Sequence, residues 1–114
     1  MNKNVGFIGA GNMAGAIISG GLRSKIFLPE HIWVSAPSMT HLSSLQREYG
    51  VHITQDNREA ASRCDILILA VKPHLIATVI EQVKDQIKAD AIVVSVAAGV
   101  TLAAMEEKFG GTIH

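Results

Sequence analysis

The chain has 114 residues, ten basic and ten acidic side chains, and 48 % apolar residues, which describes one domain able to bury about two-thirds of its unfolded surface. The balanced charge offers no electrostatic footprint for nucleic acid or an acidic membrane surface, and no apolar run approaches the roughly 20 residues that span a bilayer. The one cysteine, Cys64, excludes an intrachain disulfide and fits a reducing cytoplasm. Met1-Asn2-Lys3-Asn4 leads straight into an apolar strand, not into a signal-peptide segment. No repeat or low-complexity tract divides the chain.

Val5-Gly6-Phe7-Ile8 is a short apolar run that predicts a buried first strand. It runs into Gly9-Ala10-Gly11-Asn12-Met13-Ala14, a G-x-G-x-x-A pattern that opens a helix. Such a spacing arises by chance in glycine-rich chains, but strand, tight turn and helix start form the setting of a dinucleotide fingerprint. Gly9 permits the sharp turn. At Gly11 the missing side chain lets a pyrophosphate approach the backbone, and Ala14 is small enough for close helix–strand packing. The N–H groups of Asn12, Met13 and Ala14 then add to the positive end of the helix dipole. Ile8 and Ala10 complete the turn as candidate cofactor contacts.

The first helix is expected over residues 12–22, with Ala14, Ile17, Ile18 and Leu22 on one stripe and Gly20-Gly21 weakening the last turn. Pro29 marks a loop, and Ile32-Trp33-Val34-Ser35 reads as the second strand. Ser38 is a plausible N-cap for a helix carrying Leu42, Leu45 and Tyr49, which Gly50 ends. Residues 51–53 read as a short third strand, and the polar stretch 57–63 as a short helix around Ala60-Ala61.

Residues 66–71, Ile-Leu-Ile-Leu-Ala-Val, are apolar without alternation, the pattern of a strand covered on both faces of a parallel sheet. Lys72-Pro73 ends it, and Ile76, Val79, Ile80, Val83 and Ile87 follow at helical spacing. A fifth strand is expected over 91–96. Ala97-Ala98-Gly99 makes a small-residue turn, and Thr101 caps a last helix carrying Leu102, Met105 and Phe109. Strands alternating with helices over short loops specify an α/β fold: a Rossmann-like, doubly wound parallel sheet. Such a domain commonly has six strands. Residues 1–114 are therefore expected to form an incomplete cofactor domain, with residues 110–114 opening a further strand and the substrate half of the protein beyond them.

Four blocks together carry a family resemblance: residues 5–14, Thr54-Gln55-Asp56-Asn57, Ala70-Val71-Lys72-Pro73 and Ser95-Val96-Ala97-Ala98-Gly99-Val100. In that order and spacing the sequence resembles the N-terminal part of the pyrroline-5-carboxylate reductase family, over essentially its whole length. The resemblance implies reduction of 1-pyrroline-5-carboxylate to L-proline, the last step of proline biosynthesis, in a protein about twice as long. It also implies a helical dimerisation domain, a homo-oligomer and a substrate site lying mostly outside this chain, so no catalytic residue is assigned here. By the same resemblance Asn57 contacts the adenosine side of the cofactor, where its other reading is a helix cap. Pro73 fixes the turn, and the main chain of Ala70, Val71 and Lys72 is expected to lie against the nicotinamide ribose; on spacing alone, a strand-ending turn with a solvated lysine fits as well. Ala97-Ala98-Gly99 is expected to allow close backbone approach to the nicotinamide, or ordinary strand-to-helix packing, with Val96, Ala97 and Ala98 as the candidate contacts. The competing functions are a non-catalytic NADP-binding module and a related imine or β-hydroxyacid reductase.

The end of the second strand bears on which cofactor is taken. NAD enzymes place an acid about 20 residues past the fingerprint to hold the ribose 2′-hydroxyl. Here that stretch is Ser35-Ala36-Pro37-Ser38, with neither acid nor arginine. Ser35, Ala36 and Ser38 are accordingly expected to accept a 2′-phosphate, favouring NADPH, with NADH as the alternative. Cys64 reads as a packing residue, Asp65 as a turn residue and Trp33 as core or interface. His31, His41, His52 and His114 have no metal-ligand spacing with Cys64 or one another.

Overall fold

The computed structural model describes residues 3–96. Five strands, β1 (Val5–Ile8), β2 (Ile32–Ser35), β3 (His52–Thr54), β4 (Ile66–Leu69) and β5 (Ile92–Ser95), form one sheet in the order β3-β2-β1-β4-β5. All four pairings are parallel, with Val5 opposite both Ile32 and Ile66. The helices are α1 (Asn12–Arg23), α2 (Met39–Tyr49), α3 (Asn57–Arg63) and α4 (Ile76–Val83). Chain order reverses direction at β1, which leaves a crevice between β1 and β4 at the carboxyl ends of the strands.

The strand period of two divides the core. Val5 and Phe7 of β1, with Ile68 of β4, pack with Ala14 and Ile18 of α1 and Leu42 and Leu45 of α2. Ile8, Leu67 and Leu69 point the other way, onto Ala61 of α3 and Ile76, Val79, Ile80 and Val83 of α4. Continuous apolar strands are required because both faces are covered. Each large side chain buried this way contributes about 1.5–3 kcal/mol relative to exposure.

Both predicted caps of α2 are in place. Ser38 accepts the His41 N–H, at 3.5 Å, and Gly50 ends α2 in the left-handed region at φ 75°. Asp56, not Asn57, caps α3 by accepting the Arg58 N–H at 2.9 Å. Gly20-Gly21 do not end α1 early, because Gly21 is buried under the Phe27 ring and a Cβ there would run into it. Strand β4 stops at Leu69, two residues before the apolar run does, and α4 stops at Val83, although Ile87 still packs against its cluster. Trp33 is half-buried, stacked on His52 at 4.7 Å between ring centroids, with the Arg63 guanidinium 5.0 Å from its ring. The expected turn at residues 97–99, the last helix and the final strand stub lie outside the described residues. Among the described residues no helix is long and apolar enough to cross a membrane.

Candidate dinucleotide site

The fingerprint turn is pinned between two strands. Gly9 has φ +113°, its N–H donates to the Ser35 carbonyl at 2.7 Å, and a Cβ on it would strike the Ala70 carbonyl oxygen. Ala70 in turn donates its N–H to the Ile8 carbonyl at 2.8 Å. No L side chain is accommodated in that conformation without strain. β4 leaves the sheet at this point, since Ala70 already belongs to the turn.

Gly11 differs in kind. It is the N-cap of α1 with an ordinary φ of −80°, and nothing lies within 4 Å of where its Cβ would be. The packing of the described residues therefore does not require glycine there. No side chain caps α1 and its first turn holds no acid, so the leading N–H groups of the helix face the rim without an intrahelical partner. Asn12 and Met13 are exposed beside them, while Ala14 is fully buried against the sheet. Ala10, Gly11 and Asn12 edge a shallow cavity of about 220 Å³, walled on the other side by His41, Ser44, Glu48 and Tyr49 of α2.

The crevice itself is a cavity of about 290 Å³, at the lower end of small-molecule sites. It is lined by the expected Ile8, Gly9, Ser35, Ala36, Asn57 and Val71, and also by Pro37, Gln55, Leu75, Thr78, Val79 and Gln82. Asn57 holds its polar wall together: the buried Ser35 hydroxyl donates to Asn57 Oδ1 at 2.5 Å, and Asn57 Nδ2 donates to Gln82 Oε1 at 2.8 Å. Gln55 Nε2 donates to the Pro37 carbonyl at 2.9 Å, tying the end of β3 to the β2–α2 loop. A wider cavity of about 530 Å³ adjoins this one through Gln55, Asn57 and Gln82 and adds Asp56 and Arg58. The Arg58 N–H and guanidinium beside Asp56 hold its carboxyl below the usual carboxylate range, so it is ionised at neutral pH.

The remaining expected residues that the structure describes do not line these cavities. Lys72 precedes a single 3₁₀ turn, Pro73–Leu75, that leads into α4. The Val96 N–H donates to the Leu69 carbonyl at 3.1 Å at the mouth of the sheet, and Ala97 and Ala98 lie outside the described residues. Ser38 is occupied as the α2 cap. Cys64 is buried, and burial pushes its thiol up to about 12, leaving it a packing group and not a nucleophile. Sequence reasoning did not assign Pro37, Gln55, Leu75, Thr78, Val79 and Gln82 to the site. Leu75 and, in α4, Thr78, Val79 and Gln82 follow the spacing 75, 78, 79, 82, a second helical face beside the apolar one.

Residues 4–99 match the family described as NADP oxidoreductase, coenzyme F420-dependent. The chain belongs to that family. Within it, the chain is 38 % identical over 110 residues to pyrroline-5-carboxylate reductase of Escherichia coli, a match covering 96 % of this chain and 41 % of that protein. A solved pyrroline-5-carboxylate reductase from Coxiella burnetii superposes with a TM-score of 0.90 at 40 % identity, over 96 % of this chain and 41 % of the other. The Plasmodium falciparum pyrroline carboxylate reductase solved with NADP bound gives 0.83 at 26 % identity, over 98 % and 40 %. The chain thus spans about two-fifths of the length of the relatives it matches. The Rossmann-like parallel sheet and the resemblance read from the four blocks both stand on these matches.

Proposed function

We propose that this chain is the cofactor-binding part of a cytoplasmic, homo-oligomeric oxidoreductase that reduces 1-pyrroline-5-carboxylate to L-proline with NADPH. The observation that carries the reading is the uncapped N-terminus of α1 behind Gly11, where open space replaces a Cβ and backbone donors face it. That cradle suits the pyrophosphate, because donors fixed by the helix need no reorganisation to receive a dianion. The crevice beside it, apolar at Val71, Leu75 and Val79 and polar at Asn57 and Gln82, suits the adenosine half. Bound NADPH supplies hydride to the ring carbon of the imine, whose nitrogen takes a proton. The chain's own work is to bind and orient: Gly9 and Gly11 bring the backbone close, Asn57 fixes the adenosine side, and the turn at Val71, Lys72 and Pro73 borders the nicotinamide side. Groups that anchor the substrate carboxylate belong to the length of the relatives that this chain does not span. The names of the E. coli and C. burnetii relatives support the reaction, and the NADP-bound relative supports the cofactor.

Calorimetric titration of the chain with NADP⁺ and NAD⁺ tests the reading. Saturable one-to-one binding with NADP⁺ the tighter ligand is expected; no binding of either dinucleotide would overturn it.

A further inference from the structure

We propose that Arg58 grips the 2′-phosphate of NADP(H), supplying from the β3–α3 junction the cation that the β2–α2 loop lacks. The inference rests on the dinucleotide reading above and names the residue that sets its cofactor preference. The loop where that phosphate is ordinarily met offers no cation, and its two serines each have a partner within the protein. Ser35 is buried, with its hydroxyl donating to Asn57, and the Ser38 hydroxyl accepts the His41 N–H. Ala36 and Pro37 bring no polar side chain, and no lysine or arginine occurs between Lys25 and Arg47.

The parallel order β3-β2-β1 sets the end of β3 beside the end of β2, and the Gln55–Pro37 hydrogen bond closes the gap between them. Arg58 stands just past that junction and lines the wide cavity that adjoins the crevice through Gln55, Asn57 and Gln82. Its Nε engages Asp56 Oδ1 at 3.3 Å, while its side chain stays 63 % exposed. A guanidinium carries five donors in a rigid fork, so an anchored Nε still leaves terminal nitrogens for a phosphate. Asp56 is the opposing charge in the same cavity. Its Oδ1 accepts both the Arg58 backbone N–H and Arg58 Nε, so it fixes the arginine as well as competing with the phosphate.

The test pairs ligands that differ by the phosphate alone. NADP⁺, NAD⁺, 2′,5′-ADP and 5′-AMP are titrated into the wild-type chain, into Arg58→Gln, into Asp56→Asn, and into the two substitutions combined. Losing a charge-assisted phosphate contact is expected to weaken NADP⁺ and 2′,5′-ADP by about tenfold or more. NAD⁺ and 5′-AMP should change by less than about twofold, and the selective loss should persist when Asp56 is neutralised. Unaltered 2′,5′-ADP binding, equal losses for ligands with and without the phosphate, or disappearance of the effect in the Asp56→Asn background would each overturn the assignment. Wild-type protein that binds neither dinucleotide would overturn the parent reading, and this one with it; wild-type binding of NADP⁺ with no change in Arg58→Gln overturns only the role of Arg58.

Discussion

The five strands begin and finish in opposite ways. Where they begin, Asp65 joins three segments: its Oδ2 accepts the Asn4 N–H at 3.0 Å, its Oδ1 accepts from Lys88 Nζ at 3.2 Å, and its own N–H donates to the Asn4 carbonyl at 2.8 Å. Asn4 Nδ2 donates to the Arg63 carbonyl at 3.0 Å. Where the strands finish, α1 starts without a cap, Gly11 faces open space, and the side chains of Ser35, Asn57 and Gln82 line a crevice. Both ends pair polar side chains within the protein, but the finishing end leaves the start of α1 without a side-chain cap. The glycines divide the same way. Gly6 makes room for protein, since a Cβ there would lie 2.7 Å from the Cys64 sulfur, whereas none of the described residues lies within 4 Å of where a Cβ on Gly11 would be.

That contrast can be broken one residue at a time. Gly9→Val carries the largest expected effect, because it combines a positive φ with a collision against the Ala70 backbone. It should cost about 3 kcal/mol or more in denaturant unfolding; an unfolding midpoint at the wild-type value would show that the turn relaxes freely.

Asp65→Ala should cost about 1.5 kcal/mol, the worth of hydrogen bonds to an ionised group at a partly exposed site. Its pH dependence has a definite sign. Donation from the Asn4 N–H, then from Lys88, holds the Asp65 carboxyl below its usual value of 3.8 in the folded chain. The stabilisation is therefore fully present above pH ~4 and is lost as pH falls through the lower folded value. Wild type and variant should converge in stability below that range in urea titrations, and a gap that stays constant with pH would refute the linkage.

The smallest effect belongs to Ser38→Ala, about 0.5 kcal/mol in a thermal melt because its capping contact is long. NADP⁺ affinity should stay within about twofold, as the hydroxyl is engaged with the helix. A clear loss of affinity would return Ser38 to the cofactor site.

The fold was legible because each element carried a local signature. Uninterrupted apolar runs at β1 and β4 announced a sheet covered on both faces, and Ser38 and Gly50 bounded α2 from sequence alone. The fingerprint was legible for the same reason: Gly9 through Ala14 encode a turn and a helix start in consecutive residues. The far wall of the crevice was not. Thr78 and Gln82 look like the solvated side of α4, and only the crossover from β4 turns that side toward Asn57. Arg58 was not singled out because a cation was sought only at the end of β2 along the chain, while the sheet order sets the end of β3, and Arg58 just past it, beside that loop. Asn57 was placed in the site, but its neighbour Asp56 took the cap that was its other reading.

Gly11→Val tests the division between the two ends most directly, because the glycine serves no contact within the described protein. The variant should be titrated with NADP⁺ beside its own unfolding curve. The account predicts stability within about 1 kcal/mol of wild type, allowing for a poorer N-cap, and NADP⁺ affinity reduced by at least about tenfold. Wild-type affinity, or a loss of stability as large as that of Gly9→Val, would contradict it.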